Sequence, residues 1–439
     1  MLLALFLSAP AGATQWVTMG PRAMAMGGAY TAIAEGPVGA YYNPGALGQV
    51  IDNPSGVQVQ GSGRAEFAGL AIQGANDYFQ VAKACKASPQ TADCTTANIR
   101  AAQAKLSSPG SGAIAEANGG VAFKFGRLAL FAYDFGFLGA TPQLPKHPLN
   151  TNTGNITADQ TTALRLRGGS YYEFGAGYGR EILETGVFVG MNIKGIVAQT
   201  GYTDLFVAQE EPMALGLFRD AGRSTSLSVM PAVDVGVLWD ARQTFPDAWG
   251  RPRFGVVGRN VNNPHFSRPT RAAELGDPGR FYDLQGQSRF GAAFDLTPWW
   301  TISGDLDITQ NLTQVEGYVS RLYGVGTEFR LVNDPAFSIP VRAGLSKNIA
   351  QGDSGTIFSG GVGLHVVNFY MDLAAAVPQR WQSVREIGGS QKLPQQLAVS
   401  FQLSMLFGGA ESVTEPNRDP FAAPPERREP ERRSPTYFP

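Results

Sequence analysis

The sequence predicts an all-β fold, a 14-stranded antiparallel transmembrane β-barrel with an N-terminal hatch inside the barrel. Three observations predict it: segments of alternating apolar and polar residues, connections that alternate between short and long, and no internal apolar run long enough for a membrane-spanning helix. A period of two indicates a β-strand, because successive side chains point to opposite faces of the pleat. A membrane barrel turns the apolar face to lipid and the polar face to its lumen.

The composition argues against several functional classes. Charged residues are 16% of the 439, and the formal net charge is −1. Nucleic-acid binding needs a basic excess, so nucleic acid is not an expected partner. The three histidines, His147, His265 and His365, lie far apart without metal-ligand spacing. We expect no cofactor, no metal site, no catalytic residue and no enzyme activity.

The chain opens with an apolar stretch. Residues 1–13 resemble a secretory signal peptide that ends in Ala11-Gly12-Ala13, although no basic residues precede the apolar core. Further on, Cys85 and Cys94 lie close together in sequence. In an exported protein such a pair is expected to form a local disulfide, and two free thiols are the alternative.

Residues 14–54 carry no sustained period of two or of 3.6. Gly27 and Gly28 allow close backbone approach or positive φ, and Asn43-Pro44 marks a turn. Such a segment cannot span a bilayer, but it can pack inside a barrel. We predict that residues 14–54 form the hatch.

Residues 55–407 carry the alternating pattern and form the predicted barrel. The fourteen predicted strands are 55–73, 117–126, 128–139, 162–179, 185–200, 225–240, 252–262, 287–297, 300–311, 319–332, 337–349, 356–367, 369–378 and 395–407. In the last strand Leu397, Val399, Phe401, Leu403, Met405 and Phe407 share one face, and smaller or polar residues share the other. An even number of strands is typical of single-chain bacterial barrels.

The connections fall into two sets that alternate along the chain. The short set is 126–127, 180–184, 241–251, 298–299, 333–336 and 368, and the other set is 74–116, 140–161, 201–224, 263–286, 312–318, 350–355 and 379–394. Outer-membrane barrels have short periplasmic turns and longer outside loops. We therefore expect both termini in the periplasm and the two cysteines outside. Trp239, Trp299 and Trp300 cluster near the short-turn ends, where an aromatic girdle is expected.

Inward-facing positions carry charges of both signs. They are Arg165, Arg167, Glu173, Lys194, Asp234, Arg259, Asp305, Asp307, Glu328, Arg330, Arg342 and Asp372. Charges removed from water must be paired, so we expect a polar network around the hatch. A ring of one sign would indicate ion selectivity, and a fatty-acid tunnel would need a more apolar lining.

Residues 408–439 are dense in Pro, Glu and Arg. Such a segment buries too little apolar surface to offset the entropy of ordering, so we expect a disordered periplasmic tail. A solvated tail is the simplest interpretation, and a docking site for a periplasmic partner is the alternative.

Two stretches resemble one known family. Arg22-Ala23-Met24-Ala25-Met26-Gly27-Gly28-Ala29, followed by Tyr41-Tyr42-Asn43-Pro44, resembles the hatch of FadL-type outer-membrane proteins. That family includes long-chain fatty-acid transporters, PorV-like proteins and barrels labelled conjugal-transfer TraF. Its usual Asn-Pro-Ala is here Asn43-Pro44-Gly45-Ala46. Residues 304–375 look more like PorV-like and TraF-labelled members than like true fatty-acid transporters.

The resemblance implies passive transport of a hydrophobic small molecule across the outer membrane of a Gram-negative bacterium. It also implies that the hatch moves near Gly27, Gly28, Asn43 and Pro44 to open a path. The alternative is a structural or docking barrel of a secretion or conjugation system, which the charged lumen and the tail favour; a soluble enzyme is the remaining alternative. Expected partners are outer-membrane lipid, a hydrophobic ligand and, through the tail, a periplasmic protein.

Overall fold

The computed structural model describes residues 15–50, 53–87, 94–143, 163–206, 224–245, 248–334, 336–352, 354–386 and 389–408. Within these residues fourteen antiparallel strands close into a barrel. They are β1 (Ser55–Ala68), β2 (Gly112–Phe125), β3 (Leu128–Gln143), β4 (Ala163–Ile182), β5 (Val187–Phe206), β6 (Thr225–Asp240), β7 (Arg253–Arg259), β8 (Gln287–Thr297), β9 (Trp300–Asp307), β10 (Leu322–Asp334), β11 (Phe337–Asn348), β12 (Ile357–Val366), β13 (Phe369–Pro378) and β14 (Gln396–Phe407). The predicted 14-stranded antiparallel barrel is confirmed.

Each strand pairs with its neighbours in the sequence, and β14 closes the barrel on β1. The closing register runs from Ser55 opposite Phe407 to Glu66 opposite Gln396. Because the barrel is closed, neither β1 nor β14 remains an unpaired edge, as a bilayer requires.

The outer surface is apolar in the way the alternation predicts. In β14, Leu397, Val399, Phe401, Leu403 and Met405 are exposed, whereas Ala398, Ser400 and Ser404 between them are buried. The exposed side chains face the position of lipid, and the buried ones face the lumen. No helix among the described residues is both long and apolar enough to cross a membrane.

The connections define two ends of the barrel. Residues 126–127, 183–186, 241–252, 298–299, 335–336 and 367–368 join strands at one end, which we call the short-turn end. The opposite, long-loop end carries the connections after β1, β3, β5, β7, β9, β11 and β13. The start of β1 and the end of β14 both lie at the short-turn end, because Ser55 pairs with Phe407.

The first long connection corrects two predicted boundaries. Strand 55–73 was predicted too long: β1 ends at Ala68, Gly69 has a φ of 58°, and helix α3 (Ala71–Ala87) follows. Helix α4 (Thr96–Leu106) is next, with the Thr95 side chain accepting a hydrogen bond from the Asn98 amide. β2 then begins at Gly112, five positions before the predicted start at 117. Alanine, glutamine and lysine favour a helix here because no lipid imposes alternation.

Other boundaries also differ from the predictions. The predicted strands 300–311 and 319–332 were misplaced at their long-loop ends, because Asn311 and Leu312 pair with Ser320 and Val319 in a separate hairpin. Strand 252–262 was too long, since Asn260 and Asn263 take positive φ in a turn. Strands 162–179 and 185–200 were too short: β4 reaches Ile182 and β5 reaches Phe206. The predicted loop 379–394 contains a second hairpin, 381–386 with 389–394.

Strand length varies around the wall. β4 and β5 have 20 residues each, whereas β7 has 7 and β9 has 8. The wall is therefore taller on one side, and the connection 260–286 lies against the tall side through Val261 N–H donating to Val233 O and Thr200 Oγ1 donating to Ser267 O. This connection contains α6 (Thr270–Glu274) and a 3-10 turn, 279–281. At the short-turn end a single helical turn, α5 (Ala241–Thr244), follows β6.

Aromatic rings gather at the short-turn end. Trp299 and Trp300 stack with centroids 6.3 Å apart, and Phe329 lies 5.1 Å from Trp300. Trp239 contacts Phe254 of β7 at 5.7 Å. Such rings are typical of the level where lipid head groups meet water.

Candidate functional site

Residues 15–50, which we call the N-terminal segment, pack against the inner wall and are almost entirely buried. Trp16, Tyr42 and Leu47 are at most 2% exposed. The segment's side chains form one apolar cluster with inward-facing aromatic residues of β3 and β4, including Tyr133 and Tyr171. The core of this molecule therefore lies between the N-terminal segment and the barrel wall.

The local structure of the segment follows from its glycines, prolines and one asparagine. Helix α1 (Pro21–Ala25) begins with Pro21 at its first position, where a proline needs no amide donor. Gly27 and Gly28 then turn the chain with φ values of 69° and 86°. After α2 (Gly39–Tyr42), the Asn43 side chain accepts a hydrogen bond from Gly45 N at 3.0 Å and starts the 3-10 turn Pro44–Gly48.

The segment runs around most of the inner wall. Ser359 Oγ on β12 donates to Ala25 O at 3.1 Å, and Thr31 on the segment contacts Asp305 on β9. Asn43 Nδ2 donates to Val237 O on β6 at 3.0 Å. Asn192 Nδ2 on β5 donates to Ala40 O at 2.8 Å. Lys124 Nζ on β2 donates to Asn53 O at 2.7 Å, next to the point where the chain enters β1.

Inward-facing glycines let the segment approach the wall at backbone distance. At Gly344 on β11, an added Cβ would lie 2.3 Å from Gly27 N; at Gly190 on β5, it would lie 2.0 Å from Pro44 O. Both distances are too short for a real contact, so any larger residue would displace the segment. We call the following set the glycine belt: Gly179, Gly190, Gly236, Gly255, Gly324, Gly326 and Gly344.

An ion-pair cluster joins α1 to the wall. Arg22 Nε donates to Glu328 Oε2 at 2.8 Å, and Arg22 Nη2 donates to Glu328 Oε1 at 3.1 Å. Glu328 also accepts from Arg342 Nε at 2.6 Å, and Arg342 Nη1 donates to Asp372 Oδ1 at 2.6 Å. Bidentate guanidinium–carboxylate pairs are strong and directional, so this cluster fixes the position of α1.

The cluster continues at both ends. His365 Nε2 lies 3.3 Å from Asp372 Oδ1, and Arg22 Nη1 pairs with Glu35 of the segment itself. Burial disfavours the charged guanidinium, but the carboxylates of Glu328 and Glu35 outweigh it and raise the pKa of Arg22 well above its usual value. Arg22 is therefore charged at physiological pH.

Asp305 and Arg289 hold the next part of the segment. Asp305 Oδ2 accepts from Tyr30 N and Thr31 N, each at 3.0 Å, and from Thr31 Oγ1 at 2.6 Å. Arg289 donates to Asp307 Oδ1 at 2.7 Å and to Gly28 O at 3.3 Å. Burial raises the pKa of Tyr30 to about 12, so this phenol is neutral at physiological pH.

A second charged cluster lies on the opposite wall. Lys194 Nζ is 2.9 Å from Glu173 and 3.0 Å from Asp234. Arg259 is 3.1 Å from Glu173, and its guanidinium lies 4.0 Å from the centre of the Tyr41 ring. The two cations and two carboxylates balance, which meets the requirement for charges in a buried site.

A third group lies at the long-loop end. Arg167 Nη2 donates to Asp277 Oδ1 at 2.6 Å, and both side chains are at most 1% exposed. Tyr282 donates its hydroxyl proton to Asp277 Oδ2 at 3.0 Å. Arg165 pairs with Asp204 at 3.1 Å, further up the tall side of the wall. The pair Arg167–Asp277 ties the connection 260–286 to β4.

The side chains of all predicted lumen residues thus face the lumen, but they form separate groups. Glu328, Arg342 and Asp372 come together, with Arg330 3.6 Å from Glu328 at the edge of the group. Asp305 and Asp307 lie near Arg289, and the residues of β4 to β7 form the other two groups described above. The roles assigned to these residues stay predictions. Cys94 is disulfide-bonded, and the side chain of Cys85 lies outside the described residues, as do residues 1–14 and 409–439.

Sequence reasoning missed several partners of these residues. Arg289 occupies an inward position of β8, between Gln287 and Gly291, so strict alternation could have found it. Arg22 and Asp277 lie in segments without strand periodicity, so no pattern identifies them as partners of Glu328 and Arg167. The same holds for Glu35.

Two cavities flank residues 15–18. The larger, which we call the chamber, has a volume of about 90 Å³ and lies between the N-terminal segment and the walls of β1, β2 and β8 to β14. Its lining reaches Gly355 and Gln395 at the long-loop end and Gly27 and Gly28 at its inner end. The smaller, which we call the aromatic recess, has a volume of about 30 Å³ and is lined by Phe135, Phe137, Tyr171 and Leu284, among others. Gln15, Val17 and Glu116 border both cavities.

The described residues contain no group of three or more His, Cys, Asp or Glu side chains arranged to hold a metal ion. Of the histidines, His265 is exposed and pairs with Asp283 at 3.0 Å, His365 belongs to the Glu328 cluster, and His147 lies outside the described residues. The lumen is therefore a set of paired charges around a buried segment, with one cavity of mixed lining and one lined mainly by aromatic and apolar residues.

Comparisons with known proteins agree with this architecture. A sequence-family model described as "F plasmid transfer operon, TraF, protein" matches residues 55–307. No curated protein matches the sequence.

Several solved barrels have a similar fold. A structure described as "TodX monoaromatic hydrocarbon channel deltaS2 mutant" is 11% identical, with a TM-score of 0.50 over 88% of this chain and 98% of that one. The Pseudomonas putida toluene transporter TodX is 10% identical, with a TM-score of 0.47 over 91% of this chain and 100% of that one. A Pseudomonas aeruginosa FadL homologue is 11% identical, with a TM-score of 0.48 over 91% of this chain and 100% of that one. At 11% identity and a TM-score of 0.50, the first of these structures shows a likeness of fold.

Proposed function

The chain belongs to the family described as F plasmid transfer operon TraF protein, and we propose that it is an outer-membrane barrel for passive transport of small hydrophobic molecules. The N-terminal segment acts as a hatch that closes the path at rest. A solved barrel of similar fold is described as a monoaromatic hydrocarbon channel.

The observation that carries this proposal is the way the lumen is filled. Its interior is occupied by residues 15–50, which are continuous with β1 but make no strand pairing with the barrel among the described residues. The segment is held by side-chain hydrogen bonds, ion pairs and backbone contacts at the glycine belt. These interactions can break and re-form without opening the barrel itself, which is what a passive gate requires.

The cavities support the same proposal. The chamber begins at the long-loop end and stops at Gly27 and Gly28, where two glycines with positive φ turn the segment. A molecule that enters from the long-loop end therefore meets the segment at its turn. Displacing this turn would extend the chamber toward the short-turn end.

We infer the orientation from the connections. Outer-membrane barrels place short turns in the periplasm and longer loops outside. This puts the start of β1, the end of β14 and the 408–439 tail in the periplasm. The end of the chamber at Gly355 and Gln395 then lies on the outer side of the membrane.

The test is uptake of toluene by cells that carry the protein in their outer membrane. We expect faster toluene uptake than in cells without it, and no increase for a hydrophilic dye of similar size. Equal toluene uptake in both strains would contradict the proposal. Uptake of both probes would instead indicate an open, unselective pore.

A structural or docking barrel is the second candidate. The observation in its favour is the lining of the lumen, where buried ion pairs such as Arg167–Asp277 and Arg342–Asp372 hold the interior closed. This function predicts that a variant ending at residue 408 loses a periplasmic partner that co-purifies with the full chain. Retention of the same partner by both forms would remove the tail from the proposal.

A further inference from the structure

Side chains that line the chamber carry buried polar atoms with no hydrogen-bond partner among the described residues. Trp16 is 2% exposed and Asp305 is 6% exposed, yet Trp16 Nε1 and Asp305 Oδ1 are both unpartnered. Arg64 Nη2 and Asn118 Oδ1, which also belong to the chamber lining, are unpartnered as well. Buried polar atoms are normally paired, so these four call for a partner from outside the chain.

The four atoms differ in kind. Trp16 Nε1 and Arg64 Nη2 can only donate, whereas Asn118 Oδ1 and Asp305 Oδ1 can only accept while Asp305 is ionised. A group that both accepts and donates a hydrogen bond therefore suits the chamber best. A hydroxyl does both with a single atom.

The charge of the lining argues against an anionic ligand. Arg64, Arg289 and Lys347 contribute three cations, and Glu66, Glu116 and Asp305 contribute three carboxylates. Arg64 is already engaged, with Nε 3.1 Å from Glu116 and Nη1 3.2 Å from Glu66. A carboxylate ligand would meet as much repulsion as attraction, whereas an uncharged group avoids this cost.

An apolar surface adjoins the chamber. The aromatic recess lies on the other side of Gln15 and Val17, and its stacked rings Phe137 and Tyr171 have centroids 4.9 Å apart. Val17 is held there by its carbonyl, which accepts from Tyr41 OH at 2.7 Å. A ligand with one polar and one apolar end would find both environments within this part of the lumen.

We propose that the chamber binds the hydroxyl group of an otherwise apolar, uncharged small molecule, either a phenol or an alkanol. This rests on the proposed transport function and specifies its substrate class. Trp16 Nε1 donates a hydrogen bond to the hydroxyl oxygen, and the hydroxyl group donates a hydrogen bond to a buried acceptor of the chamber lining. At about 90 Å³ the chamber has room for such a group or for several water molecules.

The experiment compares toluene with p-cresol, which is toluene plus one hydroxyl, and with 1-heptanol to separate a phenol from an alkanol. Binding of each compound to the purified full-length protein in detergent is measured by isothermal titration calorimetry. The variant is Trp16→Phe. The Arg289 guanidinium lies 4.4 Å from the centre of the Trp16 ring, so the substitution keeps a ring beneath Arg289 but removes the N–H donor. Trp299→Phe at the short-turn end is the matched control.

We expect Trp16→Phe to weaken p-cresol binding by about fivefold to tenfold, the effect of losing one hydrogen bond. Toluene binding should change less than twofold, and Trp299→Phe should change neither. Asn118→Ala should also weaken p-cresol selectively, which guards against a folding defect of one variant. If Trp16→Phe weakens the binding of 1-heptanol as well as that of p-cresol, the site also binds the hydroxyl group of alkanols. If the substitution weakens p-cresol binding alone, the site is restricted to phenols.

Two results would overturn the inference. If toluene and p-cresol bind equally and Trp16→Phe affects neither, the chamber holds only water and the transport proposal stands without it. If none of the three compounds binds, and toluene uptake also equals that of cells without the protein, both proposals fail together.

Discussion

Replacing Arg22 with Met should free the N-terminal segment from the wall. Arg22 makes two hydrogen bonds to Glu328, at 2.8 and 3.1 Å, and its side chain is only 13% exposed. Glu328 keeps Arg342 at 2.6 Å after the substitution, so it is not left without a cation. The cost is therefore that of two charge-assisted hydrogen bonds, about 3 kcal/mol in total.

Such a loss corresponds to an increase of about 100-fold in the population with a detached segment. A cysteine at Ala29, which is fully buried, reports this population through its rate of reaction with a membrane-impermeant maleimide. We expect Arg22→Met to raise that rate by about 100-fold in the Ala29→Cys background. The barrel itself should stay folded, because no strand pairing is touched.

Arg330→Met is the matched control. Arg330 also faces Glu328, but at 3.6 Å and with 35% of its side chain exposed. A pair at this distance, with one side chain partly exposed, contributes at most about 1 kcal/mol, so the labelling rate should rise no more than about fivefold. Equal rates in the two variants would refute the assignment of Arg22 as the residue that fixes α1.

Three further predictions test the lumen. Gly344→Ala should also expose residue 29 to the maleimide, because the added Cβ lies 2.3 Å from Gly27 N and overpacking costs about 1–3 kcal/mol. Gly195→Ala is the control and should have no effect, because open space surrounds its Cβ; equal labelling of the two variants would argue against the glycine belt. Tyr30 should titrate with a pKa of about 12, measured as the difference in ultraviolet absorbance between the wild type and Tyr30→Phe. Its contribution to the free energy of unfolding is then complete below about pH 10 and is lost as the pH rises through 12. A midpoint near pH 10 would mean that the phenol is exposed. Asp277→Asn should speed tryptic cleavage within 260–286, because Arg167 on β4 loses its closest carboxylate. Asp283→Asn is the control and should not, because the partner of Asp283, His265, is exposed. Equal cleavage of the two variants would mean that the pair Arg167–Asp277 does not hold this connection against β4.

The barrel could be predicted because lipid imposes a simple rule on its strands. One face of β14 must be apolar and the other must suit the lumen, so Leu397 to Phe407 carries a readable period. Beyond the bilayer this constraint ends. There the predicted boundaries were wrong, as in α3, which begins at Ala71, and in β5, which continues to Phe206.

The lumen residues on the strands were also predictable, whereas their partners outside the strands were not. Glu328, Arg342 and Asp372 occupy inward positions of strands, so alternation identifies them. Their partner Arg22 lies on a one-turn helix, and Asp277 lies in a connection, where spacing carries no information about direction. Which charges meet depends on how a non-periodic segment folds inside a closed wall.

The central claim is that the N-terminal segment blocks a path for hydrophobic molecules and must move to open it. A disulfide between Ala25→Cys on α1 and Gly361→Cys on β12 tests it directly. An added Cβ at residue 361 lies 2.7 Å from the Ala25 Cβ, so α1 needs to shift by about 1 Å to reach disulfide geometry. With the bond formed, we predict that toluene uptake falls to that of cells without the protein and returns on reduction. Uptake that is the same in the oxidised and reduced states would contradict the account.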